Sequence, residues 1–326
     1  MTYITNTITN ANPGPTLYSA IETAMLAQGW TLVDTVTIGS NTHKVLKSAG
    51  ASGGNTYGLD WYLDINYPTT GTTGGIRFCP FESYDAVNHL GIRGPYSANS
   101  ITIDATTFSR YGATGYALET NWANSASYAQ LSTALTTAAF AYRISVTRNR
   151  IVGLLDNVPG AFFYAGFFTP SSAFSSNAGS ALFPLVQAIV TPTGGAQSGT
   201  TSSNACLTRL PNLATMTNSG WSYHVTIPNP SINSSGFPEG QIGVAASPFT
   251  GRSTGAPLIV AANASGANAS THSNATPLVD NIGTIDDIIG AYVNTGSVRG
   301  DSMTVGSDTW YDCAPSSAFT LFFRGV

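Results

Sequence analysis

The 326-residue chain (33.8 kDa) carries 12 Lys+Arg, 16 Asp+Glu and a formal net charge of −4. Only 9% of its residues are charged, where soluble domains carry about 25%, while 11% are aromatic. That balance excludes a disordered solvating chain and a coiled coil, and with Lys44 and Lys47 as the only lysines and no basic cluster it argues against nucleic acid as a partner. In chain order, the residues Met1, Thr2, Tyr3, Ile4, Thr5 and Asn6 form neither a basic leader nor an apolar stretch, so no signal peptide is expected. A helix is predicted over 16–28: Thr16 is placed to N-cap it after Pro15. Leu17, Ala20, Ile21 and Ala24 recur at helical spacing, and Gly29 stops it.

Most of the remaining signal has a period of two. Over 59–67, Leu59, Trp61, Leu63, Ile65 and Tyr67 alternate with Asp60, Tyr62, Asp64 and Asn66, which predicts a half-buried strand. A second helix is an option over 127–139, weakened by its Thr and Ser content. Tyr142, Ile144 and Val146 are followed by Val152 and Leu154, the two arms of a hairpin turning at Arg148 and Asn149. The run 161–168 (AFFYAGFF) is the longest apolar stretch, far short of a membrane span. Within it Phe162, Phe163, Tyr164, Phe167 and Phe168 read as core strand or, in part, as an anchor for a neighbouring subunit. Between 171 and 280 the composition turns to Ser, Thr, Asn, Gly and Pro, as expected of long surface loops around a few strands. The sequons at Asn263, Asn268 and Asn274 there follow from that composition. Tyr223, Val225 and Ile227, then Phe319, Leu321 and Phe323, alternate as strands. The stretch 37–43 (TIGSNTH) echoes 304–310 (TVGSDTW), so two hairpins of one design are predicted near opposite ends of the chain, open to sharing a sheet.

Motifs that carry chemistry are sparse. Gly50-Ala51-Ser52-Gly53-Gly54 fits G-x-S-x-G, but a strand-like stretch follows where a nucleophile elbow needs a helix. The histidines His43, His89, His224 and His272 never pair at short spacing. No G-x-G and no Walker A sequence occur. Asp60 with Asp64, Glu82 with Asp85, and Asp280 with Asp286 and Asp287 read as solvated turn carboxylates rather than an acid–base pair or a calcium loop. Cys79, Cys206 and Cys313 share no metal-ligand spacing and are expected as thiols in a reducing compartment. The residues thus name no catalytic, cofactor-binding or metal site.

Several segments, taken in order, resemble a family of virion structural proteins from tailed bacteriophages. They are the helix ending in Gly29-Trp30, the strand pair through 37–47, and 78–85 (FCPFESYD) with its aromatic–Glu–x–Tyr–Asp pattern. After them come Arg150-Ile151-Val152-Gly153, the aromatic stretch 162–170, and 288–324 with Thr304-Val305-Gly306 entering a turn. The resemblance covers about half of the chain and leaves 171–280 unmatched. It implies a virion component associated with the tail or baseplate, without catalysis and without a cofactor.

The expected fold is therefore mainly β: β-sandwich-like sheets with short hairpins, one N-terminal α-helix and long loops. Residues 1–170 are expected to form a helix-plus-sheet domain, 171–280 a loop-rich insertion or subdomain, and 281–326 C-terminal hairpins that complete the first sheet. The expected function is structural, in the virion, through contacts with copies of itself and other virion proteins, with no membrane partner. The alternatives are a head or neck decoration or fibre-attachment protein, and a carbohydrate-binding or depolymerising host-recognition module.

Overall fold

The computed structural model describes residues 1–9, 13–39, 41–50, 54–68, 76–92, 101–103, 106–108, 116–117, 129–131, 140–155, 162–171, 185–190, 205–211, 219–227, 256–263, 278–292, 300–312 and 319–325. Over these residues the chain is mainly β, with one helix and four antiparallel sheets. In chain order the elements are β1 (Thr2–Ile8), α1 (Pro13–Ala27), β2 (Thr31–Ile38), β3 (Asn41–Ser48), β4 (Trp61–Pro68), β5 (Ile76–Phe81), β6 (Ser83–Asp85) and β7 (Leu90–Ile92). Then come β8 (Ile101–Ile103), β9 (Thr106–Phe108), β10 (Tyr116–Ala117), β11 (Ala129–Leu131), β12 (Phe140–Val146), β13 (Arg150–Leu155), β14 (Phe162–Phe167) and β15 (Thr169–Pro170). The chain closes with β16 (Leu185–Val190), β17 (Ala205–Pro211), β18 (Ser219–Ile227), β19 (Ala256–Asn263), β20 (Leu278–Tyr292), β21 (Ser302–Val305), β22 (Asp308–Asp312) and β23 (Phe319–Arg324).

One sheet has the order β11-β5-β4-β3-β2. The largest runs β1-β12-β13-β14-β16-β17-β18-β19-β20-β23-β22-β21, with β15 beside β20. Strands β6, β7 and β10 form a third sheet, and β8 pairs with β9. The Ser/Thr/Asn-rich stretch 171–280 supplies β16 to β19, which extend the large sheet strand by strand between β14 and β20.

The helix starts at Pro13, three residues earlier than Thr16, so Thr16 lies inside it and is not the N-cap. Prolines 13 and 15 fall in the first turn, whose N–H groups have no intrahelical acceptor, so their missing donors cost no bond. At the other end Gly29 adopts φ +81°; its N–H donates to Leu26 O (2.9 Å) and that of Trp30 to Met25 O (3.1 Å). This is a Schellman stop, and Trp30 and Met25 meet in the core beside it.

The main core lies between the two larger sheets, with α1 along one side. Leu17, Tyr18, Ile21, Ala24 and Met25 of α1 pack with Trp61, Leu63, Ile65 and Tyr67 of β4. From the large sheet come Ile144 and Val146 of β12, Ile151 of β13 and Phe163 and Phe167 of β14. Each large side chain buried there contributes about 1.5–3 kcal/mol. Phe78 stacks on Phe163 across the layers at 4.0 Å. The β12–β13 turn is the fastening point: Thr147 O accepts from Trp30 Nε1 (2.9 Å), and Arg148 O accepts from Ser48 Oγ (2.7 Å) and Trp61 Nε1 (3.1 Å). On the opposite face of β1, β12 and β13 lie the C-terminal strands. Tyr3 stacks on Tyr311 at 4.5 Å, and Ser145 Oγ donates to Gly325 O at 3.2 Å. The first half of β1 and the end of β12 are thus flanked by the C-terminal strands as well as by the core.

Four sequence expectations need correction. Strand β4 begins at Trp61, leaving Leu59 and Asp60 in the preceding loop. Its polar face is not solvated, since Asp64 and Asn66 are both 0% exposed. Ala129–Leu131, for which a second helix was one option, is a strand paired with β5, where β-pairing outweighs a weak helix signal; 132–139 lies outside the described residues. Both glycine hairpins form, with register pairs Ile38↔Asn41 and Val305↔Asp308 and φ of +60° and +64° at Gly39 and Gly306. They do not share a sheet: β2–β3 belongs to the five-stranded sheet and β21–β22 to the large one. A turn motif sets local pairing but not the neighbour on the other side.

Candidate functional site

Alternation along β2, β3, β4 and β5 sends one row of side chains into the main core and the other to the outer face of the five-stranded sheet. That outer face carries His43, Asp64 and Asn66 side by side. His43 on β3 lies opposite Asn66 on β4, and Val45 opposite Asp64. His43 Nδ1 and Asp64 Oδ2 are 2.8 Å apart, Asn66 Nδ2 donates to the same oxygen at 3.3 Å, and all three residues are 0% exposed. Val45, Cys79 and Phe81 pack beside them, with Val36, Ile38, Tyr62 and Tyr84 at the margin. A histidine with no exposed surface cannot reach a substrate, so His43 serves here as a satisfied core side chain.

A second histidine is better placed. Asp34 Oδ2 accepts from the Tyr84 hydroxyl and lies against His89 Nδ1, each at 2.7 Å. Burial first, then the Asp34 carboxylate, pushes the Tyr84 phenol far up, so it remains a donor. His89 holds φ +55°, unusual for a residue with a Cβ, and its side chain is 38% exposed. Asp85 pins the same turn: its carboxylate accepts from Asn88 Nδ2 (2.7 Å), Asn88 N (3.1 Å) and Val87 N (2.9 Å), and these bonds hold it below the usual carboxylate range. A carboxylate-oriented imidazole acts as a base when a nucleophile faces its other nitrogen. Among the described residues no Ser, Cys or Lys side chain is bonded to His89, and the Asp34 pair anchors the 86–89 turn.

The other expected carboxylates are also engaged internally. Asp60 pairs with Lys47 and accepts from Gly50 N at 2.8 Å; burial opposes its charge, but Lys47 and Gly50 together hold its carboxyl low. Asp286 accepts from Thr169 (2.5 Å) and Thr284 (2.6 Å). Asp287 lies 2.6 Å from Arg150 Nε and 2.5 Å from Arg324, which also reaches Asp308 at 3.4 Å. Burial would raise Asp287, yet Arg150 and Arg324 hold its carboxyl below the usual range. This charged network, with Arg150 0% exposed, was not legible in sequence: Arg150 lies 137 residues from Asp287.

Of the remaining candidates, Ser52, His272 and Cys313 lie outside the described residues, and the side chains of His224, Cys206 and Asp280 are likewise undescribed. In the aromatic run, Phe163, Tyr164, Phe167 and Phe168 are 0%, 2%, 4% and 1% exposed. They take the core reading rather than the subunit-anchor reading, because side chains already covered inside the chain have no area left to offer a neighbour. Phe162 pairs with Val190 in the ladder, and its side chain lies outside those described.

What the described surface does offer is uncharged sheet edge. Strand β2 borders its sheet with Asp34 as its sole charge, and that carboxylate is bound to Tyr84 and His89. Strands β1 (TYITNTI) and β21 (SMTV) end the large sheet with no charge at all. Among the described residues no helix is long and apolar enough to cross a membrane. Scanned against protein-family models the chain matches none, and no curated protein matches it.

Proposed function

We propose that the chain is a structural subunit of a tailed-phage virion, associated with the tail or baseplate and acting through contacts with its own copies and with other virion proteins. The observation that carries this reading is where the charges go. A chain with only 9% charged residues ties Arg150, Arg324, Asp287, Lys44, Lys47, Glu22 and Asp60 into ion pairs with one another, with Arg150 buried. Among the described residues, the strand edges β1, β2 and β21 then carry hydroxyl, amide and apolar side chains with Asp34 as their one charge. Proteins that live free in solution defend strand edges with lysine, proline or inward charge. Edges without that defence are suited to being covered in an assembly, and a charge-poor surface lowers the cost of covering them.

The test is composition of the particle. Quantitative mass spectrometry of purified virions from cells that encode the chain is expected to recover it in constant ratio to the other particle proteins. Its absence from intact particles, with the protein present in the lysate, overturns the reading.

A further inference from the structure

The outer edge of β2, unpaired among the described residues, has a geometry that specifies its partner. In a two-residue hairpin the closing pair exchanges both backbone hydrogen bonds, and the sense then alternates along the strand. Here the closing pair is Ile38↔Asn41, followed by Val36↔His43. Ile38 and Val36 therefore turn their N–H and C=O groups toward β3, and Thr35 and Thr37 turn theirs toward the open edge. Both threonines are exposed, and among the described residues β2 is paired with β3 alone. A bulge between Leu32 and Asp34 ends the regular stretch, leaving 34–38 as the part with undisturbed register.

We infer that this edge pairs antiparallel with the same edge of a second copy, about a two-fold axis through Val36. This rests on the reading of the chain as an assembling subunit. The register is self-consistent. With Val36 facing its own mate, Thr35 stands opposite Thr37 of the other copy at both symmetry-related positions, and these are the residues whose backbone groups point outward. Four backbone hydrogen bonds close, and each threonine side chain meets a threonine across the strands. No like charges meet, since Asp34 falls opposite Ile38 and is already bound to Tyr84 and His89.

The experiment is a charge swap across the axis, read by sedimentation of the purified full-length chain. Thr35→Lys puts a cation opposite Thr37 of the other copy and brings the two new charges close together. It is expected to weaken the dimer at least about tenfold in Kd. Adding Thr37→Glu on the same chain creates two Lys–Glu pairs between copies and is expected to restore most of the loss. A misfolded variant would not be rescued, so recovery separates contact from stability. Val36→Cys is expected to give a disulfide-linked dimer on mild oxidation, because facing residues in such a pair lie within disulfide reach. A wild-type chain still monomeric at about 100 µM, or a Thr35→Lys variant that associates like wild type, overturns the inference. A dimer with this signature from a protein absent from virions leaves the edge contact standing and removes only the virion reading.

Discussion

At the scale of single residues, the most consequential group is Arg150. Its guanidinium is held by Asp287 (2.6 Å), by Ser145 Oγ (2.8 Å), and by the Arg324 carbonyl and Met1 sulfur (both 3.3 Å), so it ties β13 to the chain's two ends. Asp287→Asn leaves that buried cation without its counter-charge and is expected to cost about 3–5 kcal/mol in chemical denaturation. The same pairing sets a pH dependence. Because the folded state holds Asp287 below its unfolded value, the stabilisation is fully present above about pH 4 and is lost as pH falls through the lower folded value. Acid titration of wild type and Asp287→Asn by circular dichroism is expected to show the variant lacking that part of the acid-dependent loss.

At the scale of elements, α1 and its stop signal act together. Gly29→Ala places a Cβ at φ +81° and 2.4 Å from the Arg148 guanidinium, which donates to Gln28 O at 2.7 Å. Both the backbone conformation and the bond that docks the helix end on the β12–β13 turn suffer, and the expected loss is about 1–3 kcal/mol. Gly306→Ala is the control. Gly306 has a similar φ of +64°, but a Cβ there meets nothing within 4 Å, so only the conformational cost of about 1–2 kcal/mol remains. The two melting-temperature shifts, compared directly, isolate the contribution of the Arg148 contact. On the helix's buried stripe, Ile21→Ala opens a cavity against β4 and is expected to cost about 2–5 kcal/mol.

At the scale of the whole molecule, the described strand edges β1, β2 and β21 present hydroxyl groups and backbone with a single carboxylate, Asp34. Association through such a surface is insensitive to screening, because its contacts are backbone hydrogen bonds and methyl groups. Raising NaCl from about 0.05 M to about 0.5 M is expected to leave the self-association constant within about threefold, measured by sedimentation. A steep fall with salt would instead mark ion pairs as the contacts and contradict the surface described above.

Local features were legible in the residues alone because their causes lie within a few positions. The alternation of Trp61, Leu63, Ile65 and Tyr67, the glycine stop at Gly29, the turns at Gly39 and Gly306 and the β12–β13 hairpin all depend on near neighbours, and together they specify a mainly β chain with one helix. The start of α1 was misplaced because proline tolerates the first helical turn as well as it precedes a helix. Tertiary structure decided everything that depends on distant partners: that β2–β3 and β21–β22 enter different sheets, and that Asp64 and Asn66 are buried rather than solvated. It likewise placed the aromatic run of β14 inside the chain, and set Arg150 against an aspartate 137 residues away. The period of a strand says which side chains share a face. Which layer covers that face is settled only when segments far apart in sequence compete to bury it.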